Sequence, residues 1–191
     1  MEYELDIDPY VGIPFEEFSR EQAKEYFEWH MSRIEHRIRV LEQYVRWEGV
    51  EITFDYSPES LVPLWEWYEG HIVLEKKSRK EYRQQLRQYP KWMKDEISKT
   101  KISMMKTMKF GSDIALYFAE SICRNSGGKI SWGYFTAKNW ESVNRPVLRG
   151  FVKNTYMDPQ MIVYNCTISS AKEKDKNILF DTYNVWQKYI V

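Results

Sequence analysis

The feature that most constrains the fold is a long apolar stripe at helical spacing near the start of the chain. One apolar residue recurs every three or four positions: Phe27, Met31, Ile34, Ile38, Leu41 and Val45. Such a stripe predicts an amphipathic helix that buries one side. Ser19 followed by Gln22 is typical of a helix start, because each side chain bonds to the other residue's backbone N–H, and Gly49 suits a helix end. We therefore predict a helix over residues 19–47.

Charged and polar residues flank this stripe on both sides. The glutamates Glu28, Glu35 and Glu42 lie on one flank, and the other flank carries His30, Arg37 and Tyr44. In packed helix pairs, residues at such flanking positions select the partner helix and its direction. We expect a packed partner with basic flanking residues, and the same pattern also fits a homodimer formed through this helix.

The net charge of the 191-residue chain is zero, but the charge is segregated along it. Residues 1–75 carry a net charge of −12, residues 76–109 carry +9, and the remainder carries +3. Two interpretations stay open. In the first, the basic segment folds against the acidic one, either within a chain or across a dimer. In the second, one of the two segments is an open binding surface with a long-range electrostatic field.

Further helices are predicted along the first two-thirds of the chain. Ser57-Pro58 predicts a helix start, and that helix ends near Gly70. Ser78 with Glu81 predicts another start, in a segment that Pro90 interrupts. A second stripe predicts a helix over residues 101–124: Met104, Met108, Gly111, Ala115, Phe118 and Ile122. This helix either runs through Gly111, which would allow another helix to approach closely, or breaks there, with Ser112 as the cap.

The last third changes to the patterns of strands. Residues 129–136, 146–152 and 161–169 are rich in aromatic and β-branched residues and predict three strands. Asp158-Pro159 reads as a turn between the last two. An amphipathic pattern over residues 174–189 predicts a closing helix. The expected fold is one α+β domain, residues 1–191: a mainly helical N-terminal two-thirds packed on a small antiparallel three-stranded sheet, with a C-terminal helix.

The sequence offers little chemistry for catalysis or for a cofactor. The three histidines and two cysteines lack the spacing of metal motifs, so we expect no metal, no cofactor and no catalytic residue among them. Cys123 and Cys166 are expected to act as small buried apolar residues. The one glycine-rich spot, Ser126 to Lys129, lacks the spacing of a phosphate-binding loop.

Composition also indicates a compartment. Two cysteines cannot form a disulfide framework, which fits a reducing cytoplasm. The first twenty residues are acidic and lack the apolar core of a secretory signal. No apolar run approaches the roughly 20 residues that span a bilayer. We therefore expect a cytoplasmic protein without a membrane partner.

One part of the chain resembles a group of uncharacterised bacterial proteins. The similarity runs from Gly111 to Ile122 (GSDIALYFAESI), then Trp132, then Arg145 to Phe151 (RPVLRGF). In that group a helix of the form D-I-x-x-Y-F-x-E leads into a tryptophan-bearing strand and then a P-V-L-x-G-F strand. The resemblance implies the same order of helix and sheet and carries no activity.

Three functional hypotheses follow. The first is a non-enzymatic protein-binding protein of a bacterial cytoplasm, a toxin-immunity protein being one version, which covers a basic protein partner with its acidic N-terminal half. Its predicted binding residues are three glutamates and three tryptophans: Glu28, Glu35, Glu42, Trp29, Trp65 and Trp67. Charge would select the partner, and the aromatic side chains would anchor it.

The second hypothesis is a nucleic-acid-binding protein that uses the basic segment. Its predicted contacts are Arg79, Lys80, Arg83, Arg87 and Trp92, because basic groups neutralise phosphates and aromatic rings stack on bases. We rank it second, since the adjacent acidic half would weaken the field that a nucleic acid meets. The third is an enzyme with a site at the boundary of helix and sheet, near Trp132 and Tyr134.

Overall fold

A computed structural model describes residues 1–74, 78–80, 83, 104–137 and 142–190. Its five α-helices are α1 (Arg20–Trp47), α2 (Leu61–Glu69), α3 (Met104–Asn125), α4 (Pro159–Ser170) and α5 (Ile178–Gln187). Two short strands, β1 (Ser131–Gly133) and β2 (Val147–Arg149), and three 3-10 turns, Phe15–Glu17, Pro58–Ser60 and Val152–Asn154, complete the described elements. The α+β class and its mainly helical character are confirmed.

Helix α1 forms as the sequence predicts. The Ser19 side chain accepts a hydrogen bond from the Gln22 backbone N–H, and the Gln22 side chain accepts one from the Ser19 N–H, at 3.2 Å and 2.9 Å. Ile34, Ile38, Leu41 and Val45 of the stripe are buried, whereas Phe27 is half-buried and Met31 is exposed. The buried half of α1 packs against α3, which is the central helix of the core.

Helix α3 is continuous through Gly111, and the close approach there explains the glycine. The Tyr68 hydroxyl of α2 lies 3.1 Å from where a Cβ on Gly111 would stand, and the Met108 side chain lies closer still. The same hydroxyl is within 3.1 Å of Thr167 Oγ1 on α4. A single small residue therefore lets α2 and α4 meet against α3.

The sheet has two strands, not the three that the sequence predicted. β1 and β2 pair antiparallel, with Trp132 opposite Leu148. Residues 161–169, predicted as a strand, belong to helix α4. Asp158 caps this helix, its carboxylate accepting the Met161 N–H at 3.2 Å, while Pro159 occupies the first turn, where no backbone donor is needed. The same pair also suits a turn, and the burial of Val163 and Thr167 in the core favours the helix.

The N-terminal segment, residues 1–18, is fixed along α1. Tyr3 is buried against Tyr44 and Phe110, with ring centroids 5.0 Å and 4.6 Å away. Its hydroxyl donates a hydrogen bond to Asp113 of α3. Further along, Phe15 meets the ring of Tyr26 edge-on at 5.0 Å. The segment thus runs from the middle of α1 back to its start.

We predict that Gly150→Ala strongly destabilises the fold. Gly150 follows β2 at φ +110°, a backbone conformation that is strained for alanine. A Cβ there would also lie 2.1 Å from the Lys129 carbonyl oxygen, so the backbone of one of the two residues would have to move. The free energy of unfolding, measured by urea titration, should fall by at least about 3 kcal/mol.

The matched control is Gly128→Ala. Gly128 also has positive φ, +82°, but a Cβ there would meet no atom within 4 Å. The control should therefore lose only the roughly 1 kcal/mol of left-handed strain. Equal losses in the two variants would contradict the close contact at Gly150.

Candidate functional site

One face of α1 holds the N-terminal segment. Tyr26, His30, Arg33 and Arg37 follow one another at spacings of four, three and four residues, so their side chains share this face. Arg37 Nη2 donates to the Glu4 carbonyl oxygen at 2.7 Å, and Arg33 Nη2 lies 2.9 Å from Asp6 Oδ1. The segment is therefore held by charged contacts over the middle of α1 and by aromatic contacts at its start.

His30 is the unusual member of this face. Its ring lies 5.0 Å from Trp132 of β1 in an edge-on contact and 6.5 Å from Tyr26, nearly parallel. Within the described part of the chain, its buried Nε2 atom has no hydrogen-bond partner. Burial lowers the pKa of His30 to about 4, while the nearby carboxylates of Asp158 and Asp6 oppose that change. The imidazole is therefore neutral at physiological pH.

A buried ion pair lies on the sheet side of this region. Arg145 Nε donates to Asp158 Oδ2 at 2.6 Å, and Ser142 Oγ donates to the same oxygen at 3.3 Å. The Arg145 guanidinium also stands 4.9 Å from the centre of the Phe15 ring. Asp158 also caps α4. Through Arg145, which precedes β2 and stacks on Phe15, the same carboxylate is linked to the strands and to the N-terminal segment.

This region is where the third hypothesis placed an enzyme site, near Trp132 and Tyr134. Trp132 Nε1 donates to Glu120 Oε1 at 2.9 Å, and Tyr134 packs on Phe27 of α1 at 4.9 Å. General base catalysis requires an imidazole within hydrogen-bond reach of a proton to be abstracted. His30 instead lies between aromatic rings, so its contacts with the described residues are those of packing.

The cysteines lie in environments that keep them protonated. Burial raises the pKa of the Cys123 thiol to about 12, and the neighbouring Glu120 carboxylate acts in the same direction. Burial also raises the pKa of Cys166, which lies on α4 and contacts Thr182 Oγ1 at 3.7 Å. A thiol is nucleophilic only as the thiolate, so neither group is activated in this structure.

The other two histidines each lie beside one glutamate. His71 Nε2 lies 3.1 Å from Glu48 Oε2, and His36 Nε2 lies 3.6 Å from Glu4 Oε1. Within the described ranges, no group of three or more histidine, cysteine, aspartate or glutamate side chains is arranged to hold a metal ion.

The predicted protein-binding glutamates lie on the outer side of α1. Glu28 is exposed and stands 3.6 Å from Lys24, and Glu42 is half-buried with its carboxylate 2.6 Å from Arg46. Glu35 is exposed and forms no ion pair with another described residue. Exposed pairs one helical turn apart contribute little energy and leave their charges hydrated.

The predicted tryptophan anchors occupy different environments. Trp65 is fully buried, and its Nε1 donates to Ser170 Oγ at 3.0 Å. Trp67 is buried against Phe110 and donates to Glu48 Oε2 at 2.8 Å. Trp29 is half-buried beside Tyr26. Trp65 and Trp67 therefore stabilise the core around α2, and of the three only Trp29 lies near the glutamates at the surface.

Part of the predicted nucleic-acid site can be located. Arg79, Lys80 and Arg83 are helical and exposed. Arg87 and Trp92 lie outside the described residues, as do Glu81 and Pro90.

The contacts of the N-terminal segment are what sequence reasoning missed. Arg37 and Tyr44 were assigned to a charged flank of the stripe, yet both are buried, and Arg37 bonds to Asp113, 76 residues away. Local spacing holds no signal for such a pair. The one hint in the sequence is that residues 1–8 place a tyrosine among apolar and acidic residues.

In comparisons with known proteins, this chain matched no family model, no curated protein and no solved structure. None of the described helices is at once long and apolar enough to cross a membrane.

We predict that His30 makes the fold sensitive to acid. Its pKa in the folded state, about 4, lies below its ordinary value of 6.5, so the unfolded chain binds the proton more tightly. The resulting stability is complete above pH 6.5 and is lost as the pH falls toward 4. Between about pH 7 and about pH 4.5 the free energy of unfolding should drop by about 2 kcal/mol more in the wild type than in His30→Phe.

The control for this prediction is His36→Gln. His36 lies on the same helix but is partly exposed beside Glu4, so the variant should keep the full acid sensitivity of the wild type. Identical pH profiles for His30→Phe and the wild type would show that His30 does not carry the effect.

Proposed function

We propose that this protein is a non-enzymatic binding protein that covers a cationic protein partner with an acidic face. We define the acidic face as the exposed carboxylates at the start of α1 and just before it: Glu16, Glu17, Glu21, Glu25, Glu28 and Glu35. The four on α1 project from one side of the helix, because their positions differ by whole turns.

The observation that carries the proposal is that this face is hydrated and largely unneutralised by the described residues. Glu16, Glu17 and Glu35 form no ion pair within the described ranges, and Lys24 is the described cation that pairs with the face, at 3.6 Å from Glu28. A cluster of exposed charges of one sign attracts a partner of the opposite sign and raises the rate of encounter.

The environment of the core supports a binding role over catalysis. The thiols of Cys123 and Cys166 have raised pKa values, and His30 is enclosed by aromatic rings. An immunity protein that neutralises a basic toxin in a bacterial cytoplasm is one concrete form of this proposal. Such a protein requires a stable scaffold and a charged surface, and it requires no reactive group.

Salt dependence and charge reversal test the proposal. Proteins that co-purify with the tagged chain are collected, and their association rates are measured at about 50 mM and about 500 mM salt. A cationic partner should associate at least roughly tenfold more slowly at the higher concentration, because salt screens exposed charges. The double variant Glu28→Lys, Glu35→Lys should slow association at low salt.

The matched control reverses two exposed carboxylates far along the sequence, Glu173→Lys and Asp181→Lys. This control changes the net charge by the same amount but leaves the acidic face intact. It should therefore slow association clearly less than the Glu28→Lys, Glu35→Lys variant does. An association rate that does not change with salt concentration would count against an acidic binding face, as would equal association rates for the two double variants.

The alternative is nucleic-acid binding by the basic segment, which the exposure of Arg79, Lys80 and Arg83 favours. A gel-shift titration with single-stranded DNA tests it. If the alternative is correct, Arg79→Glu, Lys80→Glu, Arg83→Glu should abolish the shift. Replacing the exposed lysines Lys172, Lys174 and Lys188 with glutamate should leave most of the gel shift in place. No shift with the wild type excludes this alternative for the tested DNA.

A further inference from the structure

The N-terminal segment is held by side chains that point toward the protein. Tyr3 enters the core beside Arg37 and Asp113. Asp6 bonds to Arg33, and the Tyr10 hydroxyl donates to Glu25 while its ring lies 5.1 Å from Phe18. Because these anchors occur at positions 3, 6 and 10, they define the path of the backbone over residues 3–10.

The same anchors leave apolar side chains directed away from the protein. Leu5 is 62% exposed, Ile7 is 82% exposed and Val11 is 71% exposed, and Ile13 follows at 41%. Single exposed apolar residues are common on any protein surface. Here four of them occur within nine consecutive positions of one anchored segment, and clusters of exposed apolar residues mark interaction sites.

Carboxylates neighbour these apolar side chains in the sequence. Glu2, Glu4 and Asp8 lie between or next to them, and Glu16 and Glu17 follow, whereas Asp6 is paired with Arg33. A second copy that docked through this same surface would bring the same negative charges to the contact and be repelled. The charge pattern instead fits a partner whose apolar side chains are bordered by lysine and arginine.

We propose that Leu5, Ile7 and Val11 form the apolar centre of the interface with the cationic partner. This inference rests on the proposed function and assigns its anchoring residues, since Trp65 and Trp67 are buried in the core. The carboxylates of the acidic face set the rate of association. The apolar centre, bordered by charge, slows dissociation, because water is excluded from it on binding. Its fixed backbone lowers the entropy that is lost when the partner binds.

Two synthetic peptides of equal charge provide the test. Each peptide has roughly 12 residues, with a lysine at every second position. In the first peptide leucines occupy several of the positions between the lysines. In the second peptide serines replace those leucines. Affinities for the full-length protein are measured at low salt by fluorescence anisotropy. The leucine peptide should bind at least roughly tenfold more tightly, as expected for several buried methyl and methylene groups.

The variant Leu5→Ser, Ile7→Ser, Val11→Ser should remove this advantage while leaving the affinity for the serine peptide unchanged. Because all three side chains are exposed, the variant should keep the wild-type thermal stability, which is measured alongside. The control is Val185→Ser, a 50% exposed apolar residue on α5, and it should retain the preference for leucine.

The outcomes separate this inference from the proposal on which it rests. If the serine peptide binds in a salt-dependent manner and leucine adds nothing, the apolar centre is refuted and the acidic face stands. If neither peptide binds at low salt, both fail. If the wild type dimerises in sedimentation and the triple variant does not, the occupant is a second copy, which also overturns the inference.

Discussion

The arrangement of this protein depends on one buried ion pair, between Arg37 of α1 and Asp113 of α3. The guanidinium donates two hydrogen bonds to the carboxylate, at 3.0 Å and 2.7 Å, and both side chains are almost fully enclosed. The Tyr3 hydroxyl donates a third bond to the same carboxylate. Removing one partner of such a pair leaves an uncompensated charge in the core, which costs about 3–5 kcal/mol. The pair therefore determines how α1 meets α3 and where the N-terminal segment begins its path.

The surface features follow from that path. Once Tyr3 is buried and Asp6 bonds to Arg33, the neighbouring side chains of Leu5 and Ile7 have no described residue to cover them. The segment also closes over the face of α1 that carries His30, whose neutral imidazole is enclosed by Tyr26 and Trp132. One set of contacts thus accounts both for the apolar side chains at the surface and for a half-buried histidine whose pKa is lowered by burial.

Much of the helical framework could be predicted, and the errors have a common cause. The caps at Ser19 and Ser57 and the two apolar stripes act over a few residues, so they determine α1, α2 and α3 nearly to their ends. The pair Asp158-Pro159 is ambiguous, because the same residues suit a turn before a strand and the cap of a helix. Packing of Val163 and Thr167 against the rest of the core selects the helix. Trp65 and Trp67 belong to the core, and the sequence alone does not show this, because composition does not distinguish a core aromatic residue from an interface anchor.

By itself the sequence determined the local structure of α1, α2 and α3 and the segregation of charge: where these three helices run, and that negative charge concentrates in the first 75 residues. Only the tertiary structure decided which side of each element is covered. Arg37 and Asp113 are 76 positions apart, and Asn144 donates to the carbonyl oxygen of Phe15 across 129. Such contacts depend on how whole elements meet, and hydrophobic periodicity describes one element at a time. The exposure of Leu5, Ile7 and Val11, and with it the proposed interface, is a property of that long-range packing.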